Sequence, residues 1–299
     1  MGKEKVTIWL NQIRAPFLLL SVFLVFIGVA KAYVDGYVNW LYSILVLTGV
    51  VLTHISVNLF NELSDYETGI DSKTKRTPFS GGSGMMQKGK TNPKIVRVIA
   101  YSTLFIPAII GLYFVVKVNY YIAVFMIIGG ISIRFYTSHL SKYLLGEIFT
   151  GLSLGSLVVI GTYMVLSNNL NIDVIYLSLP VGLLTFLLLL LNEFPDADSD
   201  REGGRKHIVI AFGKEKAFCI YRAFAIFVFL LIILYPIIFK KSFIIYIGLL
   251  TLPLVVRIFK IAKPNLNNIR NLIPALGMNV MLVLVTDFLI GLGLILSKF

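Results

Sequence analysis

Asn61-Glu62-Leu63-Ser64-Asp65-Tyr66-Glu67-Thr68-Gly69-Ile70-Asp71 closes an apolar run over residues 40–60, and Asn192-Glu193-Phe194-Pro195-Asp196-Ala197-Asp198-Ser199-Asp200 closes another over 174–191. Both stretches begin Asn-Glu-apolar-small-Asp, 131 residues apart. Residues four apart are neighbours on a helix, so Asn61 and Asp65 are expected to share a face, as are Asn192 and Asp196, with Asp200 one turn further. Gly69 predicts that the first helix ends before Asp71. Two carboxylate clusters, each at the end of an apolar helix, have the pattern of a divalent-metal site, with Asp65, Asp71, Asp196 and Asp200 as the candidate ligands.

Around these stretches the chain is 57% hydrophobic and only 14% charged, with a mean hydropathy of +0.86; soluble domains carry about a quarter charged residues. The reading is an all-α polytopic membrane protein forming a single domain over 1–299, because apolar runs of about 20 residues suit helices rather than barrel strands. Nine spans follow, at 16–33, 40–60, 95–116, 120–136, 144–166, 174–194, 217–239, 243–261 and 271–296. The first is short, and Lys31 is expected to snorkel to the surface. With the N-terminus inside, 22 of the 27 Lys and Arg residues fall on the inner side. That bias places the N-terminus in the cytoplasm and the C-terminus outside the cell membrane, and it accounts for the net charge of +12 without a nucleic-acid partner. Cys219 is the only cysteine, which excludes an internal disulfide and a cysteine metal site. The N-terminus lacks a signal-type cleavage site, so the first span is expected to be retained.

Both acidic stretches then lie on the cytoplasmic side. The motif recurs four spans later, an even offset, which makes the internal duplication parallel. A cation-coupled transporter, the rival from another class, would ordinarily carry its acids near the midplane and an inverted repeat. Mg²⁺ binds through one or two carboxylates plus substrate phosphates, so two facing clusters suit two Mg²⁺ ions bridged by a diphosphate. Lys73, Lys75, Arg76, Lys142, Arg205 and Lys206 are nearby cations for the remaining phosphate oxygens. The Gly-rich run Ser80-Gly81-Gly82-Ser83-Gly84 lies in the first long loop. Beneath lies a bundle interior of Leu, Ile, Phe and Val, so the implied ligand is an amphiphile with a diphosphate head. His54 reads as a hydrogen-bonded core histidine. Asp287, deep in the last span, is a functional candidate by default, with pairing to Asn279 or another span as its structural alternative.

On these residues the chain resembles the UbiA-type intramembrane prenyltransferases over nearly its whole length. The first motif matches as Asn61-x3-Asp65-x5-Asp71 and the second as Asp196-x3-Asp200. Within the family it is most similar to the 1,4-dihydroxy-2-naphthoate polyprenyltransferase branch, through Gly69, the 80–84 run with Gln87-Lys88-Gly89, Asn192, Asp198, Gly204-Arg205-Lys206, Tyr136-Thr137 and Gly146-Glu147. It departs in having Glu62 where Asp is usual and His207 where Thr is common. The resemblance implies nine helices with the motifs on the second and sixth. It implies catalytic roles for Asn61, Asp65, Asp71, Asn192, Asp196 and Asp200, and diphosphate contacts from Lys73, Arg76, Lys142, Arg205 and Lys206. Asn58 and Tyr136 would contact the prenyl group or the acceptor. The implied reaction is Mg²⁺-dependent prenyl transfer from a polyprenyl diphosphate to an aromatic quinone precursor within the lipid bilayer. Transfer to a lipid alcohol such as geranylgeranylglyceryl phosphate is the alternative.

Overall fold

The computed structural model describes residues 2–69, 76–135 and 143–299, the side chains of 3, 134 and 135 excepted. Every regular element among them is a helix. In chain order these are α1 (Gly2–Gln12), α2 (Ala15–Val34), α3 (Trp40–Thr68), α4 (Pro93–Lys117), α5 (Ile122–Phe135), α6 (Gly146–Ser167), α7 (Ile172–Asn192), α8 (Ala197–Glu202), α9 (Ile208–Phe212), α10 (Lys214–Phe239), α11 (Phe243–Asn265) and α12 (Ile269–Leu296). Local chemistry sets their ends. The Asn39, Asn92 and Asn268 side chains accept from the backbone N–H groups of Tyr42, Lys94 and Asn271 and so cap α3, α4 and α12. Gly69, at φ 73°, ends α3 where its lack of a Cβ permits a left-handed turn.

Eight of these helices are long and apolar enough to cross a membrane. The predicted span at 120–136 is α5, whose 14 described residues extend about 21 Å, less than a hydrocarbon core of about 30 Å. By contrast the 29 residues of α3 extend about 44 Å. Its last turns, with Asn61 and Asp65, therefore project beyond the hydrocarbon.

The contacts define two ends of the bundle. At one, Asn58 Nδ2 donates to the Ile13 carbonyl (2.9 Å), Thr91 Oγ1 to Gln12 Oε1 (2.6 Å), and Leu144 N to the Lys206 carbonyl (3.1 Å). At the other, Asn119 bonds Asn168 (2.9 Å), Tyr163 donates to Asp35 (2.7 Å), and Lys298 Nζ donates to the Tyr33 carbonyl (2.6 Å). The most buried of the eight long helices is α7. It crosses a π-helical turn of α6, Gly151–Ser156, at glycines. A methyl on Gly182 would lie 2.1 Å from Ser156 Oγ, and one on Gly155 2.6 Å from Gly182 Cα, so this crossing admits no side chain at either position.

Two expectations change. Lys31 does not snorkel; it is 1% exposed, ion-paired with Asp35 and with Asp173 (3.0 Å), because two carboxylates at the helix ends offer it a closer partner than water. Asn192 and Asp196 do not share a continuous helix: α7 stops at Asn192, and residues 193–196 form a turn before α8 begins. Pro195 has no N–H to donate to residue 191 and its ring crowds that carbonyl, which favours a break here, although α7 itself continues through Pro180.

Candidate active site

The two acidic stretches meet at one end of the bundle. Arg205 joins them: one guanidinium nitrogen bonds Asp65 Oδ1 on α3 and another bonds Asp200 Oδ1 on α8 at 2.9 Å. The cation is held there by the turn that ends α8, where Arg205 N donates to the Asp200 carbonyl (2.9 Å) and Gly204 takes φ 78°. Asp196 is reached from the Gly-rich loop, whose Gly81 N–H donates to its Oδ2 at 3.1 Å. Burial, and secondarily the neighbouring Asp200, push the Asp196 carboxyl up to about 7, against the opposing effect of the Gly81 and Ser80 hydrogen bonds. Asp196 Oδ1 and Asn192 Oδ1 are buried and accept no hydrogen bond among the described residues. Buried oxygens without a donor, set among three carboxylates, are the donor set of a hard dication.

Glu62 has a different role from its neighbours. It is 2% exposed, and its oxygens accept from Ser83 N (2.7 Å), Ser83 Oγ (2.5 Å) and Gln12 Nε2 (3.3 Å). It anchors the Gly-rich loop and α1 to α3.

This polar mouth opens into a cavity of about 670 Å³ lined by Asn61, Asp65, Gly81, Asn192, Asp196, Asp200 and Arg205 at one end. The α3 residues on its wall run from Asp65 down to Val46, about 28 Å along the helix axis. Below the mouth the lining is mainly apolar, with Phe125, Met126, Phe149, Leu157 and Leu188, interspersed with hydroxyls such as Thr53 and Ser153. The far end is stopped by Val46, Phe114, Ile122 and Val165, members of a separate packed cluster.

Other predicted residues fall elsewhere. Asn58 lines the cavity, but its amide is bonded to Ile13. Arg76 lays its guanidinium on Gly84, away from the cavity lining, and Lys206 and Asp198 are exposed. Asp71, Lys73, Tyr136 and Lys142 lie outside the described residues. His54 is a core histidine as expected, 2.8 Å from Ser21 Oγ. Asp287 is wholly buried and makes no hydrogen bond among the described residues, and Asn279 does not pair with it. Eight residues separate the two along one helix, about 12 Å, and the Asn279 amide instead joins Tyr221 and Leu187. Arg14 was not singled out from sequence, where it counts only toward topology. It lines the mouth from a left-handed backbone position (φ 54°) and donates to the Phe79 carbonyl (3.3 Å).

A family model described as the UbiA prenyltransferase family matches residues 18–282. The 1,4-dihydroxy-2-naphthoate octaprenyltransferase of Bacillus subtilis is 26% identical over 72% of this chain and 69% of its own length. That of Haemophilus influenzae is 25% identical over 99% of this chain and 98% of its own. Among solved structures, a UbiA homologue from Aeropyrum pernix K1 superposes with a TM-score of 0.71 at 16% identity, covering 95% of this chain and 98% of that one. A UbiA homologue from Archaeoglobus fulgidus bound to DMAPP and Mg²⁺ gives 0.60 at 15% identity, covering 94% and 98%. At these identities the structural likeness is one of fold.

Proposed function

The chain belongs to the UbiA prenyltransferase family, and from that premise we propose that this membrane prenyltransferase moves the prenyl group of a polyprenyl diphosphate onto an aromatic acceptor of the 1,4-dihydroxy-2-naphthoate class. The observation that carries the reading is the junction of the acid-and-arginine mouth with a deep apolar cavity. Such a shape fits an amphiphile whose head is a diphosphate and whose tail is hydrocarbon, each buried methylene contributing about 0.8 kcal/mol. The names of the curated relatives support the acceptor class.

In this reading Asp65, Asp196 and Asp200, with Asn61 and Asn192 beside them, would hold two Mg²⁺ ions, which would supply positive charge to neutralise the departing diphosphate. Arg205 exchanges its carboxylate partners for phosphate oxygens, which its planar fork matches in the same bidentate way. The apolar walls exclude water, so the allylic carbon, after its bond to oxygen breaks with the electron pair leaving on diphosphate, meets the ring rather than solvent. The ring carbon forms the new bond and loses its proton. The test is a product assay by mass spectrometry, crossing prenyl diphosphates of several lengths with dihydroxynaphthoate, 4-hydroxybenzoate and a glycerol-phosphate lipid. Prenylated naphthoate with diphosphate release is expected; product from the glycerol-phosphate lipid alone would replace the acceptor assignment.

Metal binding should depend on pH through Asp196. Its carboxyl, raised from 3.8 to about 7, carries a proton below that pH in the metal-free protein, and Mg²⁺ must displace it. Mg²⁺ affinity should therefore fall up to about tenfold per pH unit below 7 and level off above. For the metal-free fold the sign is opposite: with the folded value above the unfolded one, stability declines as pH rises from about 4 to 7. Calorimetric titration with Mg²⁺ at pH 6, 7 and 8 checks this, and Asp196→Asn should remove the dependence.

The same reading gives nine crossings with the N-terminus cytoplasmic. In its support, α4 leads to Asn119 at the end far from the mouth, while α6 starts beside Lys206 at the mouth, so the chain between them has to return. Cysteines at positions 85 and 204 of a Cys219-free variant should react with an impermeant thiol reagent only from the cytoplasmic side. Labelling of either from outside would defeat the arrangement.

A further inference from the structure

Behind one rim of the mouth, three side chains converge that the prenyl-transfer reading does not use. Glu147, Glu193 and His207 are all buried, and each offers a ligand atom within 4.8 Å of the other two. Glu147 is wholly buried, and its Oε2, Glu193 Oε2 and both ring nitrogens of His207 make no hydrogen bond among the described residues. Burying two acids and an imidazole side by side is costly. A proton shared between the two acids, with a protonated His207 between Glu193 and Asp200, leaves the imidazole contacts long, at 3.5 and 3.4 Å, whereas one dication would take a ligand atom from all three side chains at bonding distance.

We propose that Glu147, Glu193 and His207 form a transition-metal site, for Zn²⁺ or a cation of similar preference, distinct from the Mg²⁺ ligands at the mouth. The donor set, one imidazole and two carboxylates, suits a borderline cation, whereas Mg²⁺ takes oxygen ligands and retains water. His207 Nδ1 lies 3.5 Å from Glu193 Oε2; bonds of about 2.1 Å give tetrahedral ligand–ligand edges of about 3.4 Å. Supporting partners are in place behind two of the three ligands. The other oxygen of Glu147 accepts from Ile208 N at 2.7 Å. The other nitrogen of His207 lies 3.4 Å from Asp200 Oδ2, the side on which a metal-bound imidazole ordinarily has a carboxylate. Glu193 and His207 both line the cavity, so a fourth position would open into it. The site rests on these contacts and not on the prenyl-transfer reading.

The test is a titration of the full-length protein in detergent with Co²⁺, a spectroscopic stand-in for Zn²⁺, in excess Mg²⁺ and without substrate. One equivalent of Co²⁺ should bind with the strong visible bands of a low-coordinate site, in the unaltered chain and in an Asp65→Asn, Asp196→Asn background. His207→Ala and Glu147→Gln should each weaken it by at least about tenfold. Loss of the equivalent in excess Mg²⁺, its loss in the Asp65→Asn, Asp196→Asn background, or bands that persist in both His207→Ala and Glu147→Gln would overturn the proposal. Should a variant fail to fold, the Mg²⁺ competition on the unaltered chain decides. Because no prenyl donor is present, the outcome is separate from the product assay.

Discussion

Replacing Asp65 or Asp196 with alanine is expected to lower prenyl transfer by at least about a hundredfold, the scale on which a lost electrostatic stabiliser of a departing anion is felt. The two residues come from opposite halves of the chain and from different kinds of backbone, Asp65 from the projecting end of α3 and Asp196 from the turn at Pro195. Each supplies a carboxylate to the same polar mouth, where Arg205 lies between Asp65 and Asp200. Asp198→Ala is the control: that side chain is exposed and outside the cavity lining, so activity within about twofold of the unaltered enzyme is expected. Steady-state rates with saturating Mg²⁺ give the comparison, and thermal unfolding shows that each variant is folded. Full activity in both Asp65→Ala and Asp196→Ala would remove the shared site.

Arg205→Gln should separate two effects that most active-site variants confound. Turnover of a prenyl diphosphate is expected to fall by about a hundredfold, with the loss concentrated in KM for the donor, because a bidentate phosphate contact goes. Affinity for Mg²⁺ in the absence of substrate should move the other way and rise. The guanidinium sits between Asp65 and Asp200, whose side chains are 17% and 6% exposed. Once it is gone, two acids face one another and a dication is the natural replacement. Without Mg²⁺ the variant should be destabilised, on the scale of about 3–5 kcal/mol for an ion pair broken on one side. Adding Mg²⁺ should restore much of that loss. Arg205→Lys should recover part of the turnover, as a point charge lacking the fork. A fall in Mg²⁺ affinity in Arg205→Gln would contradict the competition between cation and metal.

The apolar runs, the stop at Gly69 and the meeting of both acidic stretches at one end are legible in sequence, since each depends on local pattern or on counting spans. What was not legible depends on partners distant along the chain. The place of Lys31 is decided by Asp173, 142 positions away. Glu62 reads in sequence only as a departure from the usual Asp; its anchoring role is set by Ser83 and Gln12, 21 and 50 positions away. Glu193 and His207 belong with Glu147, some fifty residues earlier, and no periodicity links them. Pro195 favours a break at that point, but prolines also lie inside α4, α7, α10 and α12, and the repeat of the acidic motif suggests the same backbone for both copies.

The packed stop of Val46, Phe114, Ile122 and Val165 also matters to the cell that carries the protein. A hole running about 28 Å along α3, its mouth beyond the hydrocarbon, still crosses much of the insulating thickness across which a voltage is maintained. Were it open at the far end and wetted, ions and protons would run down their gradients through it. Hydrocarbon side chains give water no hydrogen-bond partners, so no continuous file of water forms past them. The enzyme can thus stand open on one face to admit charged and greasy molecules alike while the membrane stays electrically tight.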